Sequence, residues 1–169
     1  MPESVLRSQV EVGGSLDDVF AFFADAANLE EITPGWLNFR IRSPLPIQMG
    51  VGALIDYRIR IRGVPVAWRT QIAAWEPPFR FVDEQLKGPY TLWEHEHTFE
   101  PTEGGVLVKD NVRYRVPGGP AAGLVERLWV KPDLERIFAY RREAMLRRFG
   151  MPGPGGRHSK ALGAAMARL

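Results

Sequence analysis

The sequence predicts an α+β domain in which a strongly curved antiparallel sheet of about seven strands covers one long C-terminal helix, with two short helices after the first strand. Three observations carry this. Between residues 53 and 116 successive segments alternate apolar and polar residues, the pattern of antiparallel strands with one buried face. From Pro132 to Phe149 the residues Leu134, Ile137, Phe138, Met145 and Phe149 recur at helical spacing. And the chain, 169 residues with 45% hydrophobic and 25% charged residues, is long enough for one domain with a sizeable core.

Taken in order, residues 4 to 12 read as the first strand. Ser15 then caps a helix, with Asp18 at its third position and Leu16, Val19, Phe20 and Phe23 on its apolar side. A second short helix is expected with Asn28 as cap, Glu31 as the reciprocal residue and Pro34-Gly35 as its end. Phe39 to Arg42 reads as a strand, and SPLPIQMG as a loop.

In 53 to 62 the positions Ile55, Tyr57, Ile59 and Ile61 face in, against Asp56, Arg58, Arg60 and Arg62 facing out. After the Gly63-Val64 turn, Trp68, Thr70 and Ile72 point inward, and Glu76-Pro77-Pro78 ends that strand. Segment 79 to 86 places Phe79, Phe81, Asp83 and Gln85 together. After Gly88-Pro89-Tyr90, Trp93, His95, His97 and Phe99 share one face. The last strand turns Val106, Val108, Asp110, Val112 and Tyr114 inward.

PGGP at 117 to 120 breaks the strand pattern, and a short helix with Leu124, Val125, Leu128 and Trp129 leads into the long one. There Pro132 suits the first turn, Asp133 the positive end of the dipole, and Arg147 and Arg148 the negative end. The domain is therefore expected over residues 1–150. Residues 151–169 read as a Gly/Pro linker and an alanine-rich tail, a frayed or partner-bound helix.

Composition closes several classes. With no cysteine there are no disulfides, thiolate metal sites or cysteine nucleophiles. No apolar run approaches a membrane span, and the first residues lack the layout of a signal peptide, so the expected location is cytoplasmic. Residues 126 to 169 hold 10 Lys/Arg against 4 Asp/Glu, which leaves 12 against 16 for residues 1 to 125. This basic end is either a solvated helix face or a weak contact for a membrane surface or an acidic protein. The outward arginines 58, 60, 62, 113 and 115 lack interleaved aromatics, so nucleic acid is not an expected partner.

Pro34-Gly35-Trp36-Leu37, Phe81-Val82-Asp83-Glu84-Gln85, Gly88-Pro89-Tyr90, Trp93-Glu94-His95-Glu96-His97-Thr98-Phe99, Asp110-Asn111-Val112-Arg113-Tyr114 and Ile137-Phe138-Ala139-Tyr140-Arg141 carry a family likeness. Over residues 3 to 149 the chain resembles the SRPBCC superfamily, the START or helix-grip fold of the birch-pollen allergen, and within it the bacterial polyketide cyclase/dehydrase-like ligand-binding proteins. The resemblance implies a cavity between sheet and C-terminal helix. It implies a small hydrophobic ligand of lipid, quinone or polyketide kind, no cofactor, and Tyr57, Trp68, Phe81, Trp93, His95, His97, Phe138 and Arg141 as lining residues. Those aromatics are equally residues of an ordinary core.

One feature departs from plain core chemistry. Arg141 falls within the apolar face of the long helix, and an inward guanidinium needs an acceptor or water. His95, His97 and Asp110 are also inward, with Asp83, Gln85 and Tyr114 as neighbours. The set reads as a structural charge cluster, or as the polar wall of a ligand pocket. In a narrower form of the pocket reading, a histidine held by Asp110 is a general base and Tyr114 or Arg141 polarises a carbonyl, as a cyclase or dehydratase requires. Metal binding by the HxH pair and Asp110 is disfavoured by the inward arginine, and no metal is expected. There is no GxSxG motif. A partner-binding module without ligand is the remaining alternative.

Overall fold

The computed structural model describes residues 3–154. The alanine-rich segment 159–169 lies outside them. Strand β1 (Ser4–Val12) leads to helix α1 (Leu16–Ala24), and then come β2 (Arg40–Ile41), β3 (Leu54–Ile61), β4 (Val64–Glu76), β5 (Arg80–Lys87), β6 (Leu92–Pro101) and β7 (Val106–Arg115). They form one antiparallel sheet in the order β1-β7-β6-β5-β4-β3-β2. A helical run from Gly119 ends in α3 (Lys131–Phe149), which the sheet covers. This is the helix-grip fold.

Most of the register follows from the alternation. Ile55, Ile59, Trp68, Thr70 and Ile72 are buried, as are His95, His97 and Phe99 on β6 and every second residue of β7 from Val106 to Tyr114. On α3, Leu134, Phe138 and Met145 are buried and Ile137 is half-buried. Fully burying one such side chain contributes about 1.5–3 kcal/mol, so this stripe fixes which face of α3 meets the sheet.

Three local expectations are corrected. Asp25, not Asn28, caps the turn after α1, accepting from Ala27 N at 2.9 Å, and the segment Ala26–Glu30 is a 3-10 helix. Asn28 instead donates from Nδ2 to Phe22 O at 3.0 Å, satisfying a carbonyl at the end of α1. Phe79 is 56% exposed because it lies in the turn where its N–H bonds Glu76 O, before β5 begins. The short helix expected before Pro132 is continuous with α3 through a π-helical segment, Glu126–Val130, in which Lys131 N–H bonds Glu126 O. Proline offers no N–H to the carbonyl four residues back and crowds it, so the preceding turn widens.

The first residues of the linker expected from residue 151 are held to the domain as far as Gly153. Gly150 O accepts from Gly13 N at 3.1 Å, and Gly153 N donates to Gly104 O at 2.8 Å. At Gly105 the β7 end passes so close to β1 that a Cβ would lie 1.9 Å from Val12 O, which only glycine tolerates.

Candidate functional site

The inward polar residues meet because three neighbouring strands bring them into register. Asp83 on β5 stands opposite His95, and His97 on β6 stands opposite Asp110 on β7. Two residues apart on β6, the histidines share one face, with ring centroids 3.7 Å apart. Each is thus flanked by both carboxylates. His95 Nε2 lies 2.9 Å from Asp110 Oδ1, and His97 Nε2 lies 2.9 Å from Asp83 Oδ2. His97 Nδ1 is 3.1 Å from Asp110 Oδ1, and His95 Nδ1 is 3.7 Å from Asp83 Oδ2.

Arg141 reaches this cluster from α3. Its Nε is 3.6 Å from Asp110 Oδ1, and its guanidinium lies over the Phe23 ring. The separation is that of an ion pair rather than a hydrogen bond, and Nε is buried with no acceptor. Burial alone would raise the Asp110 carboxyl, but the Arg141 charge and the two histidines hold it well below the usual carboxylate range. Burial would also raise Asp83, and the hydrogen bond from His97 with the nearby cations keeps it low. The histidines diverge: burial and the neighbouring His97 charge push His95 down, whereas His97, also opposed by burial, is carried up by its two carboxylate partners.

A cavity of about 660 Å³ lies between α3 and the inner face of the sheet. Tyr57, Trp68, Phe81, Trp93, His95, His97, Phe138 and Arg141 all line it, as does Asp83. Tyr57 stacks on Trp68, whose edge contacts follow with Tyr90 and Trp93, making an aromatic wall that adjoins the polar cluster where Trp93 meets the edge of His95. Asp110 and Tyr114 do not line it. Asp110 stands behind the histidines, and the Tyr114 hydroxyl donates to Glu126 at 3.2 Å near β1. Burial and the adjacent Glu126 push that hydroxyl up to about 12, so it stays protonated. Gln85 is absorbed by the turn it closes, donating from Nε2 to Tyr90 O at 2.7 Å.

The mouth of the cavity was not legible from strand alternation. Arg62 makes a bidentate pair with Asp133 at 2.8 and 3.0 Å, and Arg136 lies over the Trp36 ring, so both contacts tie α3 to the rim opposite. Arg62 sits in the hairpin turn at φ 50, where the in-and-out rule for strands no longer applies. Trp36 was marked only by its Pro-Gly context.

A sheet wrapped on a terminal helix around a mostly apolar cavity defines a ligand-binding class of fold. The chain belongs to the family described as polyketide cyclase / dehydrase and lipid transport, whose model matches residues 12–138. No curated protein matches the sequence. Among solved structures, a Chromobacterium violaceum protein is similar at TM-score 0.67 and 10% identity, over 87% of this chain and 98% of that one. Norcoclaurine synthase from Thalictrum, solved with a transition-state analogue, is similar at TM-score 0.61 and 17% identity, over 87% and 96%. The di-domain ARO/CYC protein StfQ of the steffimycin biosynthetic pathway is similar at TM-score 0.60 and 15% identity, over 86% of this chain and 52% of that one. At these identities the likeness is one of fold. Among the described residues no helix is long and apolar enough to cross a membrane.

Proposed function

We propose that the protein binds a small, largely apolar molecule of lipid, quinone or polyketide kind in the cavity between sheet and α3. The observation that carries this is the cavity's make-up. Its volume, about 660 Å³, falls within the range of ligand pockets, and its wall is mostly aromatic and aliphatic, with one polar group at the inner end, where Asp83, His95, His97 and Arg141 converge, and another at the rim, where Arg62, Asp133 and Arg136 stand. A ligand with one oxygenated end would place that end at the cluster and its body against Tyr57, Trp68 and Trp93.

Native mass spectrometry of the purified chain, followed by solvent extraction and identification of what co-purifies, tests the reading. One apolar molecule per chain is the expected result. A chain that carries nothing, and takes up neither a fatty acid, a quinone nor a polycyclic phenol in titration, would refute it.

A second reading, a cyclase- or dehydratase-type reaction, draws support from the His95–Asp110 hydrogen bond beside a cavity-lining Arg141. A histidine so held can take a proton while the guanidinium steadies an enolate. Incubation with a linear poly-β-ketone thioester separates the two. Recovery of the compound unchanged favours binding, and loss of water or ring closure favours catalysis.

A further inference from the structure

On the Asp83 side of the cluster three donor atoms converge. A carboxylate oxygen of Asp83 and one ring nitrogen from each of His95 and His97 lie within 4.8 Å of one another. Asp83 Oδ2 is 2.9 Å from His97 Nε2 and 3.7 Å from His95 Nδ1. Donors bound tetrahedrally to one zinc ion at about 2.0–2.1 Å lie roughly 3.3–3.4 Å apart, so side-chain rotations that open the Asp83–His97 pair and draw in the wider ones complete the set.

The opposite ring nitrogens are held by one group. Asp110 Oδ1 lies 2.9 Å from His95 Nε2 and 3.1 Å from His97 Nδ1. When both of these nitrogens carry hydrogen and donate to Asp110, the lone pairs of His95 Nδ1 and His97 Nε2 face Asp83, the tautomer that a metal on that side would select. An outer carboxylate orients metal-bound imidazoles in this way.

Arg141, which the sequence suggests would repel a cation, stands with Asp110 instead. Its contacts are Asp110 Oδ1 at 3.6 Å and His97 Nδ1 at 3.4 Å, the nitrogen turned from Asp83. It therefore offsets the outer carboxylate.

We propose that Asp83, His95 and His97 bind a divalent transition-metal ion of the zinc class, with Asp110 as the positioning residue behind both imidazoles. Two imidazoles and one carboxylate, without thiolate, suit zinc, iron or nickel better than magnesium or calcium. All three ligands line the cavity and Asp110 does not, so the remaining coordination position faces the space where an oxygenated ligand end would lie. A metal there takes the place of the direct His97 Nε2–Asp83 Oδ2 contact at 2.9 Å. The site stands apart from the apolar-ligand reading, because its donors are complete without an organic molecule.

The test uses the full chain, stripped with chelator and with hydrophobic resin, and titrated with Zn²⁺ by calorimetry and Co²⁺ by visible absorption. One ion per chain is expected, with intense d–d bands for Co²⁺. Asp83→Asn and His97→Gln should abolish the site, and Asp110→Asn should weaken it roughly 10- to 100-fold. Glu94→Gln and Glu96→Gln, on the other face of β6, should bind as the parent does. Absence of a stoichiometric site in the parent protein overturns the proposal, as does Asp83→Asn binding at parental affinity. Should a ligand variant fail to fold, the ring signals of His95 and His97 in the parent decide: Co²⁺ must shift both, and unshifted rings refute the assignment. Metal without any organic ligand counts only against the apolar-ligand reading, and organic ligand without metal only against this one.

Discussion

Replacing Arg141 with methionine tests whether the charge pair fixes α3 on the sheet. The side chains of Arg141 and Asp110 are 11% and 6% exposed, so the substitution leaves a buried carboxylate without its cation. Breaking a buried pair from one side costs about 3–5 kcal/mol. Asp110 keeps the His95 hydrogen bond at 2.9 Å, which places the expectation at the lower end, about 3 kcal/mol. For a chain of this size that is a fall in Tm of roughly 6–12 °C, at about 2–4 °C per kcal/mol. Arg141→Met with Asp110→Asn should recover part of the loss, since neither charge is then stranded. Urea melts of the parent, both single variants and the double variant give the coupling energy. Additive losses, or a loss from Arg141→Met below about 1 kcal/mol, would show that the pair does not hold the helix. A steep fall in ligand retention with stability unchanged would assign Arg141 to the ligand alone.

The acid limb of stability should depend on the same carboxylate. Asp110 is held below its ordinary value, so its contribution is complete above about pH 4 and is lost as pH falls toward the depressed value. Tm of the parent should therefore drop more steeply below about pH 4 than that of the Arg141→Met/Asp110→Asn variant; parallel curves would contradict this. Ile59→Trp adds bulk at a cavity-lining position and should abolish co-purification of the ligand while the far-UV circular dichroism is kept, and a variant that retains the parental amount would place the ligand elsewhere. Truncation after Gly150 removes the Gly153–Gly104 hydrogen bond, worth about 1 kcal/mol, and should lower Tm by roughly 2–4 °C relative to truncation after Pro154. Equal melting temperatures would mean that this contact contributes nothing.

Period-two alternation was enough to read the sheet, because one buried face constrains each strand independently of its partners. Helical spacing was enough for α3 and for the inward direction of Arg141. The turn after α1 was misread because Asp25 and Asn28 both carry short polar side chains, and the choice between them depends on the Phe22 carbonyl, which only the folded backbone presents. The link between the short helix and α3 was misread for a similar reason: Pro132 suits a first turn, and a widened turn satisfies it equally well.

The candidate site shows the same division between face and partner. Alternation puts His95, His97, Asp110 and Tyr114 on the inner face, but a face is shared by the cavity and by everything that packs around it. Strand order separates them. Asp83 on β5 lies toward the cavity from β6, and Asp110 on β7 lies away from it, so two aspartates with equal standing in the sequence take unequal positions. The same step removes Tyr114 from the cavity and leaves it with Glu126. An inward arginine seen alone argues against a cation nearby. Its ion pair is with the farther aspartate, Asp110, at 3.6 Å, behind both imidazoles, and its guanidinium makes no such pair with the nearer one, Asp83. The chemistry open to this site thus depends on the order β7-β6-β5, which no single strand's sequence encodes.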